Sequence, residues 1–363
     1  MTNSTPLSDP TIVLRQAAQQ RGGVGIVIVN WNSGQFLRQC LESLGHCECL
    51  TRVTQVIVVD NDSHDDSCCH LPSLGIPFQL IQNQTNLGFA AACNQGAAVC
   101  QSEYLLFLNP DSRLHANSLR IPLEYLDDAR NAGVGICGIQ LIDDRGRVGR
   151  TCSRLPTCTS LVAMAMRMHS LLPRVFPPHF MKEWDHGETR EVEEVIGAFF
   201  FVRRDLFLRL EGFDERFFVY YEEVDFCQRA RQLGSRTMFL ATAQADHAGG
   251  GCSNQIRGRS LFYSLRSRVL YARKHFLPGQ ALAVGIATFL GEPLIRIVTM
   301  IVGLRMKNLP PLCYGFSLLW RDHFLAPISP GNSIGSTPKS GSDNEGNAQV
   351  LTSEQHTRTR SAA

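Results

Sequence analysis

The segment Ser102-Glu-Tyr-Leu-Leu-Phe-Leu-Asn-Pro-Asp111 decides the fold class. Its apolar run suits one buried strand, and it stops at an amide, a proline and a carboxylate. The same order recurs along the chain. Val24 to Val29 (VGIVIV) runs into turn residues Asn30 to Gly34 and then a helical pattern carried by Phe36, Leu37, Cys40, Leu41 and Leu44. Val56 to Val59 ends in Asp60-Asn-Asp-Ser63, and Phe78 to Ile81 ends in QNQTNLG before a helical stretch over Ala90 to Cys100. Short apolar strands alternating with helices predict an α/β fold with a mostly parallel central sheet flanked by helices. Ligands bind such sheets beyond the carboxyl ends of the strands, so Asp60, Asn86 and Asp111 are expected on one rim.

A second block follows a less regular insertion, Leu155 to Trp184, that is rich in Met, Arg, His and Pro and whose role the sequence leaves open. Phe199 to Val202 reads as another buried strand. EGFDERFFVYYEEVDF reads as a loop entering a helix with an inner face of Val224, Cys227, Ala230 and Leu233 that stops at Gly234. Met238 to Leu240 predicts a last strand leading to Asp246-His247 and Gly249 to Gly251. The expected organisation is a polar leader (1–22), a main domain (23–275), an apolar helical extension (276–328) and a disordered tail (329–363). Within the extension, Ala281 to Leu304 is strongly apolar but broken by Glu292, Pro293 and Arg296. It reads as an amphipathic element on a membrane surface, as core helices, or as a true span.

With 363 residues, 44% hydrophobic and 19% charged, the chain can bury a substantial core. Its 35 Lys and Arg against 33 Asp and Glu argue against a nucleic-acid partner, whose affinity would come from surplus positive charge. Thirteen cysteines, odd in number and irregular in spacing, suit small buried residues in a reducing compartment better than a disulfide framework or a zinc site. The leader lacks the apolar core of a secretory signal, so the main domain is expected to face the cytosol.

Five groups of residues point to chemistry, each with a structural alternative. Asn109 and Asp111 flank a rigid proline and suit a hard divalent cation that shares its remaining positions with substrate phosphates; they equally suit a turn or helix cap. Asp60 could accept a hydrogen bond from the ring N–H of a pyrimidine, or simply close an Asx turn. Asn86, Gly88 and Asn94 lie where a helix N-terminus could receive phosphate, although no Walker or dinucleotide fingerprint accompanies them. Glu222, Glu223 and Asp225 crowd a helix start, where carboxylates are structurally favoured but mutual repulsion could raise the pKa of a general base. His247, beside its glycines, is a structural histidine or a metal ligand.

Together the blocks VGIVIVNWNSGQFLRQCLESL, VIVVDNDSHDDS, NLGFAAACNQG, LLFLNPDS, VIGAFFFVRRDLFLRLEGFDERFFVYYEEVDFCQRARQLG and DHAGGG resemble the inverting family 2 glycosyltransferases of the GT-A fold, particularly their rhamnosyltransferase-like branch. The resemblance covers roughly Val24 to Lys274. It implies that Asp60 binds the base of a nucleotide diphosphate sugar, such as dTDP-rhamnose or a UDP-sugar, with Asn30 lining that pocket. It implies that Asn109 and Asp111 stand at the metal motif, with His247 completing the contacts to Mg²⁺ or Mn²⁺ and diphosphate. It implies an acceptor that is a saccharide, lipid-linked, presented at the inner face of the cell membrane. Two positions depart from the family pattern: the first metal-motif residue is Asn109, and the family's Glu-Asp pair is Glu222-Glu223, which makes the implied base one methylene longer. Gly249 to Gly251 would serve as a closing loop. A sugar-nucleotide pyrophosphorylase would need a Gly-rich loop after its first strand, which NWNSGQF does not provide. A non-catalytic nucleotide-sugar-binding or scaffolding relative is the alternative from another class.

Overall fold

The computed structural model describes residues 22–249, 257–303, 309–324 and 350–352. Its strands are β1 (Val24–Asn30), β2 (Val53–Asn61), β3 (Phe78–Asn83), β4 (Tyr104–Leu108), β5 (Ser112–Leu114), β6 (Val134–Ile142), β7 (Cys152–Ser153), β8 (Arg190–Val192), β9 (Glu194–Val195), β10 (Phe199–Arg203), β11 (Arg236–His247) and β12 (Val350–Thr352). The main sheet runs β12-β3-β2-β1-β4-β10-β6-β11-β5, with β8 also paired to β11. Strands β3, β2, β1 and β4 are mutually parallel, as the repeated strand–turn–helix order requires. Beyond β4 the sheet is mixed, because β10 lies antiparallel between β4 and β6.

Successive residues of the central strands feed two separate cores. Val27, Val29, Ile57 and Val59 pack on the Phe89–Ala98 helix, while Ile26, Ile28, Val56 and Val58 pack under the Gln35–Leu44 helix. That two-residue alternation, with both faces covered, is why these strands read as unbroken apolar runs. Strand β11 is longer than the predicted Met238 to Leu240; it continues past a register shift after Leu240 to reach His247. Among the described residues every cysteine is free.

At the C-terminal end, Pro278–Val302 forms one helical run of 25 residues, apolar enough by length and composition to cross a membrane. Glu292, which looked like an interruption, is 2% exposed and faces inward, paired with the buried Arg268 and with Arg296. Leu282, Ile286, Leu290 and Leu294 lie exposed at four-residue spacing. A π-helical turn over Ala287–Gly291 adds the residue that keeps this stripe aligned, since a pure α-helix would rotate it steadily around the axis. The leader through Arg21, Gly250 and Gly251 of the expected loop, and most of the tail lie outside the described residues; within the tail, β12 pairs antiparallel with β3.

The tightest helix–sheet approach is at Gly96, where an added Cβ would lie 2.4 Å from Cγ1 of the buried, β-branched Val27. Val27 has little rotamer freedom with which to yield. Gly96→Ala is therefore expected to lower unfolding free energy by about 1–3 kcal/mol in denaturant titration, despite alanine's better helix propensity.

Candidate active site

Parallel pairing sets Asn30 opposite Asp60 and Asp60 opposite Gln82 at the carboxyl ends of β1, β2 and β3. Asn30 is fully buried, so it does not line a pocket as the family resemblance implies. Its Nδ2 instead lies 2.8 Å from Asp60 Oδ1, 3.0 Å from Ser63 Oγ and 2.8 Å from Ser67 Oγ. One amide thereby fixes the Asp60 carboxylate and the turn after it. Above them, Asn32, Gly34, Phe36, His64 and Asp65 line an open recess of 480 Å³.

Three residues expected beside the phosphates are committed to the protein itself. The Asn86 Oδ1 accepts from Asn61 Nδ2 and from the Gly88 backbone N–H, both at 2.9 Å. Gly88 has φ of 91°, and an added Cβ would stand 2.5 Å from the Phe218 carbonyl oxygen. That carbonyl accepts the Phe89 N–H at 2.6 Å, so the close approach allowed by Gly88 is to the Phe218 segment, and this helix N–H is not open to phosphate. Asn94 donates to Phe213 O and Glu215 Oε1 and accepts from the Phe213 N–H, which braces the loop before the acidic helix.

The Asn-Pro-Asp turn stands at the end of β4. The Asn109 N–H donates to Ala198 O at 3.1 Å, and Asp111 lies next to His247, with Nε2 to Oδ1 at 3.4 Å. Antiparallel pairing of β11 with β5 brings these residues together, aided by an Ala248 N–H to Asp111 O bond. Asp246 is held by His115 at 3.0 Å and Arg113 at 3.5 Å, which anchors the strand end that carries His247. No larger metal-binding group of His, Cys, Asp or Glu occurs among the described residues. A carboxylate and an imidazole nevertheless suit a divalent ion that takes its other ligands from phosphates and water.

The acidic helix Glu222–Gln232 divides its three carboxylates between two environments. Asp225 is fully buried and bound by His275 at 2.7 Å, Lys274 at 2.6 Å and Arg229 at 2.7 Å. Burial alone would raise its pKa, but the hydrogen bond to His275 and the charges of Arg229 and Lys274 hold it below the usual carboxylate range. Asp225 therefore serves the ion-pair network and does not join a reacting cluster. Glu222 and Glu223 are shifted upward, each chiefly by burial; the charge of Glu223 adds to the shift of Glu222. Repulsion is thus the second cause, not the first. Backbone N–H groups, those of Val224 and Gly197 among them, oppose the shift at Glu223 and favour its ionised form. Both glutamates keep a buried Oε2 with no hydrogen-bond partner. Tyr220 and Tyr221, at φ of 67° and 71°, turn the chain sharply into this helix, a strained conformation of the kind that accumulates at functional sites.

Glu223 opens onto a cavity of 360 Å³ that Met164, Phe180, Ile196 and Tyr221 help to line. Glu194 lines it too, and sequence reasoning missed this residue. It is 1% exposed, its Oε2 has no partner, and burial followed by the charge of Glu223 drives its pKa well upward. Only its proximity in the fold marks it, because β9 is two residues long and Glu193-Glu194 looks like a surface pair in sequence.

This sheet is that of a GT-A glycosyltransferase. The mannosyltransferase PcManGT from Pyrobaculum calidifontis, solved with GDP-Man and Mn²⁺, superposes with a TM-score of 0.51 over 87% of this chain and 94% of its own, at 13% identity. The protein belongs to glycosyl transferase family 2, whose model matches residues 25–210. The chain is 26% identical to the rhamnosyltransferase WbbL of Escherichia coli K12, over 70% of this chain and 94% of that one. It is 25% identical to an N-acetylglucosaminyl-diphospho-decaprenol L-rhamnosyltransferase of Mycobacterium tuberculosis, over 61% of this chain and 75% of that one.

Two buried carboxylates should respond in opposite senses to amide substitution. Asp225→Asn breaks a buried ionic network and is expected to cost roughly 3–5 kcal/mol at neutral pH. The deficit should fade as pH falls, because a depressed folded-state pKa stabilises only above the unfolded-state value. Glu194→Gln should raise the melting temperature at pH 8, since a raised folded-state pKa makes the native carboxyl progressively unfavourable as pH climbs. Its advantage should vanish near pH 4, where Glu194 is protonated in both states. Thermal melts of both variants across this range check the two signs.

Proposed function

We propose that the protein is a metal-dependent inverting glycosyltransferase that moves a hexose, rhamnose by the names of its relatives, from a dTDP- or UDP-linked donor to a lipid-linked saccharide. The observation that carries the reading is the adjacency of two sites. Asn109 of the Asp111/His247 turn bonds to Ala198, and the neighbouring Gly197 donates its N–H to the Glu223 carboxylate. A donor's diphosphate and an acceptor's hydroxyl would thus meet across a two-residue segment.

In this reading Asp60, held by Asn30, binds the base, and the diphosphate runs toward Asp111 and His247. Those two residues would hold Mg²⁺ or Mn²⁺, which when bound neutralises charge on the departing diphosphate. Glu223 takes the proton from the acceptor hydroxyl. The acceptor oxygen forms its bond to the anomeric carbon as the carbon–oxygen bond to diphosphate breaks, and the nucleoside diphosphate leaves with the electron pair. Attack opposite the leaving group inverts the anomeric centre. Burial raises the pKa of Glu223, which strengthens it as a base, and its backbone donors favour the charged form. The longer glutamate is compatible with a cavity of this size around it.

A lipid-linked acceptor is supported by the diphospho-decaprenol in the mycobacterial relative's name. The exposed apolar stripe of Pro278–Val302 supports placement on the cytoplasmic membrane surface. Because Glu292 pins the inner face of this helix to Arg268, we read it as lying on the bilayer rather than crossing it.

Thermal stability against nucleotides and nucleotide sugars, with and without Mn²⁺, tests the donor site. A metal-dependent rise with dTDP or UDP compounds is expected in the native protein and should be absent in Asp111→Ala. In Glu223→Gln the donor-induced rise should persist while kcat falls by roughly 10²–10⁴. Loss of both binding and turnover in Glu223→Gln would assign that residue to donor binding instead.

A further inference from the structure

The insertion between β7 and β8 has no part in the donor site, yet it forms much of the wall of the Glu223 cavity through Met164, His169, Pro177, His179 and Phe180. Its outer side is unusual. Leu171, Leu172 and Val175 are 78%, 52% and 65% exposed, far more than their neighbours in the chain require. Arg167, Arg174 and Lys182 are also exposed, and none of them forms an ion pair among the described residues. From Leu155 to Lys182 the sequence contains no Asp or Glu at all.

Acid-free stretches that carry basic residues occur elsewhere too, as at 247–291, and one lies near the insertion. From Pro293 to Arg321 the chain carries Arg296, Arg305, Lys307 and Arg321, again without an acidic residue. The fold sets the insertion beside the helical run that leads into this segment. The insertion's Cys158–Ala165 helix packs against the start of the apolar helix, with Leu161 and Val162 in one cluster with Ala281 and Val284. The Met166 sulfur lies so close to Gly291 that an added Cβ there would stand 2.6 Å from it. At that junction the exposed Leu290 is on one side, and the chain continues through Arg167 to Leu171 on the other.

We infer that Arg167 to Phe180 is a second, cationic lipid-binding arm, which with the apolar helix seats the protein on an anionic bilayer. This rests on the membrane-surface reading of Pro278–Val302. Exposed apolar side chains interspersed with exposed basic ones complement anionic headgroups above acyl chains, which the charge pattern of this arm fits. Because the arm also walls the cavity, seating it would bring the mouth of that cavity to the lipid–water boundary. An acceptor tethered to lipid could then present its hydroxyl to Glu223 without leaving the membrane.

Co-sedimentation of the full chain with phosphatidylcholine vesicles, with and without phosphatidylglycerol, tests the arm. Wild type should bind the phosphatidylglycerol vesicles preferentially. Arg167→Gln/Arg174→Gln should weaken that binding by roughly tenfold or more and reduce its salt sensitivity. Leu171→Ser/Leu172→Ser should weaken binding to a similar degree while leaving the melting temperature unchanged, since both side chains are exposed. Ile286→Asn/Leu290→Asn reports on the helix separately. If the helix variant loses binding while both arm variants bind like wild type, the arm is overturned and the membrane reading of the helix stands. If wild type binds neither vesicle, both readings fall, and an acidic protein surface becomes the partner to seek.

Discussion

The hydrogen bond from the Asn109 N–H to the Ala198 carbonyl joins the two halves of this molecule. On one side is the parallel unit, β3-β2-β1-β4, which delivers its turn residues to a common rim. On the other is β10, running the opposite way and followed by the loop and helix that carry Glu222 and Glu223. An antiparallel strand next to β4 begins where β4 ends, so the residues just before β10 meet the Asn-Pro-Asp turn. No parallel neighbour could do this, because its start would lie at the far edge of the sheet. The reversal in the middle of the sheet is therefore what allows the Asn-Pro-Asp turn and the Glu223 carboxylate to share a wall.

Much of this was legible in the sequence because of burial. Strands covered on both faces must be continuously apolar, and their ends must be marked by residues that tolerate turns, which makes β1, β2, β4 and β10 readable one by one. Strand β6 is as buried as these but escaped notice. Its Gly135 and Gly138 make room for Leu206 and Val195, and those glycines dilute the β-branched signal. The convergence of Asp111 and His247 was expected from family resemblance and arises physically from the pairing of β11 with β5. Asn30, Asn86, Gly88 and Asn94 were singled out as binding residues, yet their hydrogen bonds go to the protein. A sequence shows that a polar residue ends a strand, but not whether its partners are substrate atoms or a neighbouring loop.

The carboxylates show the same limit in electrostatic form. Glu222, Glu223 and Asp225 are nearly adjacent in sequence, which suggested a mutually repelling trio. Helical geometry separates them, and Asp225 meets His275, Lys274 and Arg229 while Glu223 faces the cavity. The partner that Glu223 does share the cavity with, Glu194, comes from a separate two-residue strand. Low dielectric surroundings, more than charge density along the chain, set the protonation of this site.

Arg268 connects the site to the apolar helix in a way that bears on how the enzyme can be cut down. Its guanidinium is buried, pairs with Glu292, and also hydrogen-bonds Tyr221, the strained residue immediately before Glu222. The apolar helix is thus not an appendage joined to a self-sufficient catalytic unit. A chain truncated ahead of Glu292 would leave an uncompensated cation in the interior, one side chain away from the turn that aims the carboxylates. The smallest intact form of this glycosyltransferase therefore includes its apolar helix at least as far as Glu292.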